Sequence, residues 1–178
     1  MKRSLVLLIA LFSVACKKDE IISPPLGDSI EIQQHAGWTA EKFKSQYTIQ
    51  FPSNYTGGYI QGFEGGSFDK LRDDSTAHMM YFFGDILQNF DFGDTLQNIN
   101  ADSIWVSQGD PQILLDHRID FTENGITVGI LFYNEWSTIR TGELYWNDDG
   151  AFKDALSIYY SGNLKEEVIS ILQTIKKL

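Results

Sequence analysis

The chain holds one cysteine in 178 residues, Cys16, and so has no means of closing an intrachain disulfide. Its stability must come from a packed apolar core, and this length suffices for a single domain. Basic charge is also scarce: 14 Lys and Arg stand against 24 Asp and Glu, a net charge of −10. From Asp85 to Asp154 thirteen acids face three bases, Arg118, Arg140 and Lys153. Such a surface repels phosphate backbones and anionic bilayers, which argues against nucleic acid as a partner. Its plainest account is solubility in an exported protein. Histidine is rare, and His35, His78 and His117 show no His-x-x-x-His spacing and no neighbouring cysteine pair, so no zinc set is expected. His78 and His117 read as polar members of strands.

Familiar catalytic spacings are missing as well. Gly65-Gly66-Ser67-Phe68-Asp69 lacks the glycine that closes a nucleophile elbow, and Asp91-Phe92-Gly93 stands without the other loops of a kinase. Glycines 57, 58, 62, 65 and 66 precede no Lys-Ser or Lys-Thr, so they read as strand punctuation rather than a phosphate cradle. No cofactor is expected. Paired acids do occur, at Asp91/Asp94, Asp116/Asp120 and Asp148/Asp149, and read as solvated turn residues. A glycosidase would need two of them facing across a cleft.

What is present begins at the N-terminus. Lys2 and Arg3 precede an apolar run, Leu5 to Phe12, and then Ser13-Val14-Ala15 before Cys16. That is the layout of a secretory signal peptide, with an apolar run too short for a permanent membrane span. With its cysteine at the cleavage point, the segment resembles a bacterial lipoprotein signal, although Ser13 stands where such signals usually carry Leu. The resemblance implies cleavage between Ala15 and Cys16 and acyl chains such as palmitate on Cys16. Two or more chains hold stably to a bilayer, at about 0.8 kcal/mol per buried methylene. The tail Lys17-Lys18-Asp19-Glu20 resembles the charged export tails of surface lipoproteins in Bacteroidetes-type bacteria. It implies an outer-membrane, lipid-anchored protein displayed at the cell surface. A solvated linker start is the plain alternative. Cleavage removes two of the 14 basic side chains and none of the 24 acidic ones, leaving −12.

Residues 1–15 are thus expected to be signal, 16–33 a tether containing Pro24-Pro25 and Gly27, and 34–178 one domain. Within the domain, Thr39 to Ser45 is expected to start as a short helix capped by Thr39. Tyr47 to Phe51 alternates as a half-buried strand ended by Pro52. Residues 58–72 suggest two short strands with a bend, and His78 to Phe83 a central strand covered on both faces. Ser103 to Val106 reads as a short strand. Asn124-Gly125 marks a tight hairpin between Ile113 and Tyr133, and residues 147–150 mark a second between 142–146 and 152–160. At the C-terminus, Asn163 and Glu166 have the spacing of a capping box. Leu164, Val168, Ile171, Leu172, Ile175 and Leu178 form an apolar stripe at helical period. The expected fold class is α+β: an antiparallel meander sheet with a C-terminal amphipathic helix packed on one face.

The strand and turn at 47–55, Tyr-Thr-Ile-Gln-Phe-Pro-Ser-Asn-Tyr, together with the helix from Glu166 closed by Thr174-Ile175-Lys176, resembles the two ends of PsbP-like and Mog1-like domains. That resemblance implies a central antiparallel sheet with flanking helices and an adaptor or assembly role, without catalytic residues.

Aromatic residues are abundant, with 4 Trp, 8 Tyr and 12 Phe. Tyr55, Tyr59 and Phe63 flank the glycine-rich stretch, and Trp136 and Trp146 border turns. These five are the candidate ligand contacts, because exposed rings stack on sugars or receive apolar partners. The plain alternative is that they fill the core of a β-rich domain. Three functions follow: a non-enzymatic envelope lipoprotein that binds or scaffolds a protein or glycan, a hydrolase whose surface acids assemble only on folding, and a small-ligand carrier with an aromatic cavity. The first is favoured.

Overall fold

The computed structural model describes residues 28–43, 47–62, 65–84, 96, 98–106, 112–148 and 150–178. The expected lipidation residue Cys16, the cleavage residue Ala15, the export tail Lys17, Lys18, Asp19 and Glu20, and Phe63 lie outside them.

The described residues form an α+β fold dominated by an eight-stranded sheet. Two meanders build it: β4 (Tyr55–Gly62), β5 (Gly65–Arg72) and β6 (Ala77–Gly84), then β9 (His117–Glu123), β10 (Ile126–Tyr133), β11 (Ile139–Asp148) and β12 (Ala151–Ser161). β12 pairs antiparallel with β6 and so joins the two, while β1 (Asp28–Glu31) adds in parallel beside β9. The order is β1-β9-β10-β11-β12-β6-β5-β4. A three-stranded sheet, β13-β3-β2, consists of β2 (Thr39–Phe43), β3 (Tyr47–Phe51) and β13 (Lys176–Lys177). A small pair, β7 (Ile104–Val106) with β8 (Ile113–Leu115), makes a third.

Alternation along the strands assigns the two faces of the large sheet. Phe68, Met79, Phe121, Leu131, Leu144, Trp146, Leu156 and Ile158 point to one face, which the helix α1 (Lys165–Leu172) and the three-stranded sheet cover. Ile49 and Phe51 of β3 and Val168, Ile171 and Leu172 of α1 complete that core. On the other face Ile130, Phe132, Tyr145 and Phe152 pack with Val106 and Leu115 from the small pair, and with Leu96.

Several elements stand where the sequence places them. The β9–β10 hairpin turns at Asn124 (φ 54°) and Gly125 (φ 78°), both in the left-handed region that Asn-Gly tolerates. The helix, entered through a 3-10 turn at Gly162–Leu164, lies on one sheet face and carries Glu166 and Glu167 in its first turn, as the dipole favours.

Other elements differ. Thr39 to Phe43 is a strand, not a helix, because β3 offers it a full register from Thr39–Phe51 to Phe43–Tyr47. Tertiary pairing overrides a weak local preference there. The expected tether also ends early. Asp28–Glu31 pairs with β9, the Ile32 amide donates to the Thr122 carbonyl (2.8 Å), and Ile30 and Ile32 pack on the core. The helix cap position belongs to Leu164, without a side-chain hydrogen bond, so the Asn163–Glu166 box does not form. The helix also stops at Leu172. Thr174 Oγ1 donates to the Ile171 carbonyl and accepts from the Gln50 amide, both at 2.7 Å, and the chain turns into β13. Leu178, expected on the stripe, is exposed. In β6, Ala77 and Met79 are buried but His78 and Met80 are only half-buried, so over these residues the strand is closed on one face alone.

Candidate functional site

The second face of the large sheet divides into an apolar half and a polar half. Cross-strand register sets Arg118, Phe132, Glu143, Ser157, Met80 and Asp69 in one row across β9, β10, β11, β12, β6 and β5. The neighbouring row runs Thr141, Tyr159, His78, Leu71. Paired residues share a face, with Cβ atoms about 5 Å apart. The polar half therefore gathers Glu143, Ser157, Tyr159, His78 and Asp69 from four strands.

Two polar pairs define its geometry. Ser157 Oγ donates to Glu143 Oε1 at 3.0 Å, and Glu143 is buried. Asp69 Oδ1 lies 2.6 Å from His78 Nε2. In the Nε2–H tautomer the ring donates to Asp69 and keeps its lone pair on Nδ1. The side chains of His78 and Asp69 are 29% and 46% exposed, so this pair is open to solvent where the Ser157–Glu143 pair is not. Tyr159 pairs with His78 in the neighbouring row, its ring 6.5 Å from the imidazole, while Met80 lies between Ser157 and Asp69. Burial, and then the Glu143 carboxylate, push the Tyr159 phenol above the ordinary range, so it stays protonated at neutral pH. The arrangement supplies an aromatic surface, a phenol, an imidazole, a hydroxyl and two carboxylates along one stripe.

The other buried carboxylate of this face has a structural partner. Arg118 donates to both oxygens of Asp120 (2.6 and 3.0 Å) and to the Ile99 and Ala101 carbonyls (2.6 and 2.7 Å). Its guanidinium lies over Phe132. The pair thereby ties the turn at 98–101 to the second core. Asp116 is exposed, 3.8 Å from His117, so Asp116 and Asp120 are not a converging pair.

The aromatic candidates fare differently. Tyr55 is buried against Phe51 and donates to Glu167 Oε1 at 3.1 Å. Trp146 is fully buried beside Tyr47. Both are framework, correcting the expectation that they meet a ligand: proximity to a turn does not determine which way a strand residue points. Tyr59 and Trp136 do reach the surface, at 43% and 65% exposure. They sit on edge strand β4 and in the β10–β11 connection, with β12, β6 and β5 between, so the fold does not bring them together. Among the described residues no group of three or more His, Cys, Asp or Glu is placed to hold a metal, and no helix is long and apolar enough to cross a membrane.

The stripe itself was missed by sequence reasoning. Its only linear signal is a polar residue at alternate positions of apolar strands, as in Thr141-Gly-Glu143-Leu and Ser157-Ile-Tyr159. Comparison of the chain with protein-family models, curated proteins and solved structures finds no match in any of the three.

Proposed function

We propose that the chain is an envelope lipoprotein whose body is a non-enzymatic binding module for a hydroxyl-rich ligand, an envelope glycan. Acyl chains on Cys16 would anchor it to the outer membrane, and the Lys17-Lys18-Asp19-Glu20 tail favours display outward. One observation carries the binding half: Tyr159 lies beside His78 on the same sheet face as the Ser157–Glu143 and Asp69–His78 pairs. A sugar ring can lay its C–H face on an aromatic ring while its hydroxyls meet the open Asp69 carboxylate and His78 imidazole, an apolar surface with a few converging polar groups. The resemblance to PsbP-like and Mog1-like domains supports an adaptor role of the same kind.

The carrier reading loses ground, because α1 and β3 fill the sheet face where a carrier would keep its cavity. The Asp69–His78 pair favours hydrolysis as a second reading, with His78 as general base.

Membrane fractionation of wild type and Cys16→Ala, with protease added to intact cells, tests the anchoring. Membrane-bound, protease-sensitive wild type and a released or unprocessed variant are expected. Equal membrane retention of the variant would refute the lipid anchor. Glycan fragments from the producing cell's envelope, incubated with the protein, are expected to bind unchanged; their cleavage would establish the hydrolytic reading instead.

A further inference from the structure

Two tryptophans are left in solvent at one end of the sheet, Trp105 at 64% and Trp136 at 65% exposure, with Ile139 at 65%. They belong to one patch. Trp105 pairs in register with Leu114, and the Trp136 indole donates to the Leu114 carbonyl at 3.5 Å. Leu114 leads directly into β9, and Ile139 begins β11 beside the end of β10. β1 starts at this same end, since Asp28 pairs with Ile119 while Tyr133, at the end of β10, pairs with His117. β1 therefore begins at the end of the sheet where the exposed rings are. Eleven residues lie between Cys16 and Asp28, and the twelve Cα-to-Cα steps span no more than about 43 Å at full extension.

The carboxylate in the β10–β11 connection is compensated: Glu135 meets Lys165 at 2.5 Å and Arg140 at 3.4 Å. The Lys165 contact holds the Glu135 carboxyl below its ordinary range, so it stays ionised and paired. The paired Glu135 therefore adds nothing to the repulsion that the mature net charge of −12 sets up between the body and an anionic membrane. Trp prefers the bilayer interface, where its ring is partly buried and its N–H stays near water.

We infer that this end of the sheet is a membrane-facing surface, with Trp105 and Trp136 seated in the interfacial layer of the bilayer that holds the acylated Cys16. The inference rests on the lipid-anchor reading. It makes the tether a short leash beside a docking face, and it turns the polar stripe sideways to the membrane, within reach of surface glycans.

The test uses acylated full-length protein in zwitterionic vesicles, with and without lipids brominated along the acyl chain. Brominated lipid is expected to quench a substantial share of the wild-type Trp emission, and Trp105→Phe/Trp136→Phe is expected to lose that quenching, since of the two that remain Trp146 is buried and Trp38 packs against the core. Protein that floats with the vesicles yet shows no quenching overturns this inference alone. Equal quenching in wild type and double variant also overturns it. Protein that does not float overturns the anchor and this inference with it. A dimer in sedimentation that the double variant abolishes, with emission unquenched, assigns the patch to a second copy and overturns the membrane surface.

Discussion

The two faces of the large sheet are made by the same strands and do different things. In β11, Leu144 and Trp146 go to the helix side and are sealed, while Glu143 and Thr141 go to the other. In β12, Leu156 and Ile158 are sealed under the helix side, while Ser157 and Tyr159 share the opposite side with His78. One face is a core. Its counterpart is a core only under the β7–β8 pair, where Phe132, Tyr145 and Phe152 lie, and becomes polar toward β6 and β5. A buried carboxylate such as Glu143 is an expensive choice for a strand interior. The difference shows where packing sets residue identity and where another demand does.

Three perturbations sharpen that contrast. Trp146→Ala empties the centre of the helix-side core and is expected to destabilise by about 3–5 kcal/mol, read from urea unfolding. A loss under about 1 kcal/mol would mean the two faces do not differ as described. On the other face, Arg118→Ala leaves Asp120 buried without its guanidinium and is expected to cost about 3–5 kcal/mol. Pairing it with Asp120→Leu should restore most of that, as the charge is then gone; no restoration would deny that the ion pair is the cause. Asp69→Asn keeps the shape of the polar half while removing its open carboxylate. Stability should change by less than about 1 kcal/mol, whereas glycan affinity should fall about tenfold, a change of about 1.4 kcal/mol.

Smaller still is an acid-sensitive contact outside both faces. Asp74 accepts from the Thr76 hydroxyl (2.5 Å) and amide (3.1 Å) and pairs with Arg72, which together hold its carboxyl at about 2. A lowered acid pKa stabilises the fold above the unfolded value and loses that contribution as pH falls. The β5–β6 turn should therefore loosen between about pH 4 and pH 2. Asp74→Ala should flatten that part of the urea-midpoint profile; an unchanged slope would assign the acid sensitivity elsewhere.

Legibility from sequence followed the range of the interactions. Asn124-Gly125 signals its hairpin because the turn demands left-handed backbone at adjacent residues. The C-terminal helix is legible from its apolar stripe, but its two ends are not. Asn163 sits in the 3-10 turn, and the Thr174 hydroxyl accepts from the Gln50 amide, more than a hundred residues earlier. Ile30 and Ile32 alternate over too short a stretch to announce β1, which is held by β9. The candidate site was illegible for the same reason. Asp69, His78, Glu143, Ser157 and Tyr159 meet only through strand register, and the β12–β6 pairing that joins them crosses about eighty residues of chain.

The most direct test of the account is the affinity of labelled envelope glycan fragments for wild type, Tyr159→Ala and Trp136→Phe, each checked for native unfolding. The account predicts at least a tenfold loss for Tyr159→Ala and none for Trp136→Phe. Unchanged affinity in a folded Tyr159→Ala variant would contradict it and remove the polar half of the sheet as the binding surface.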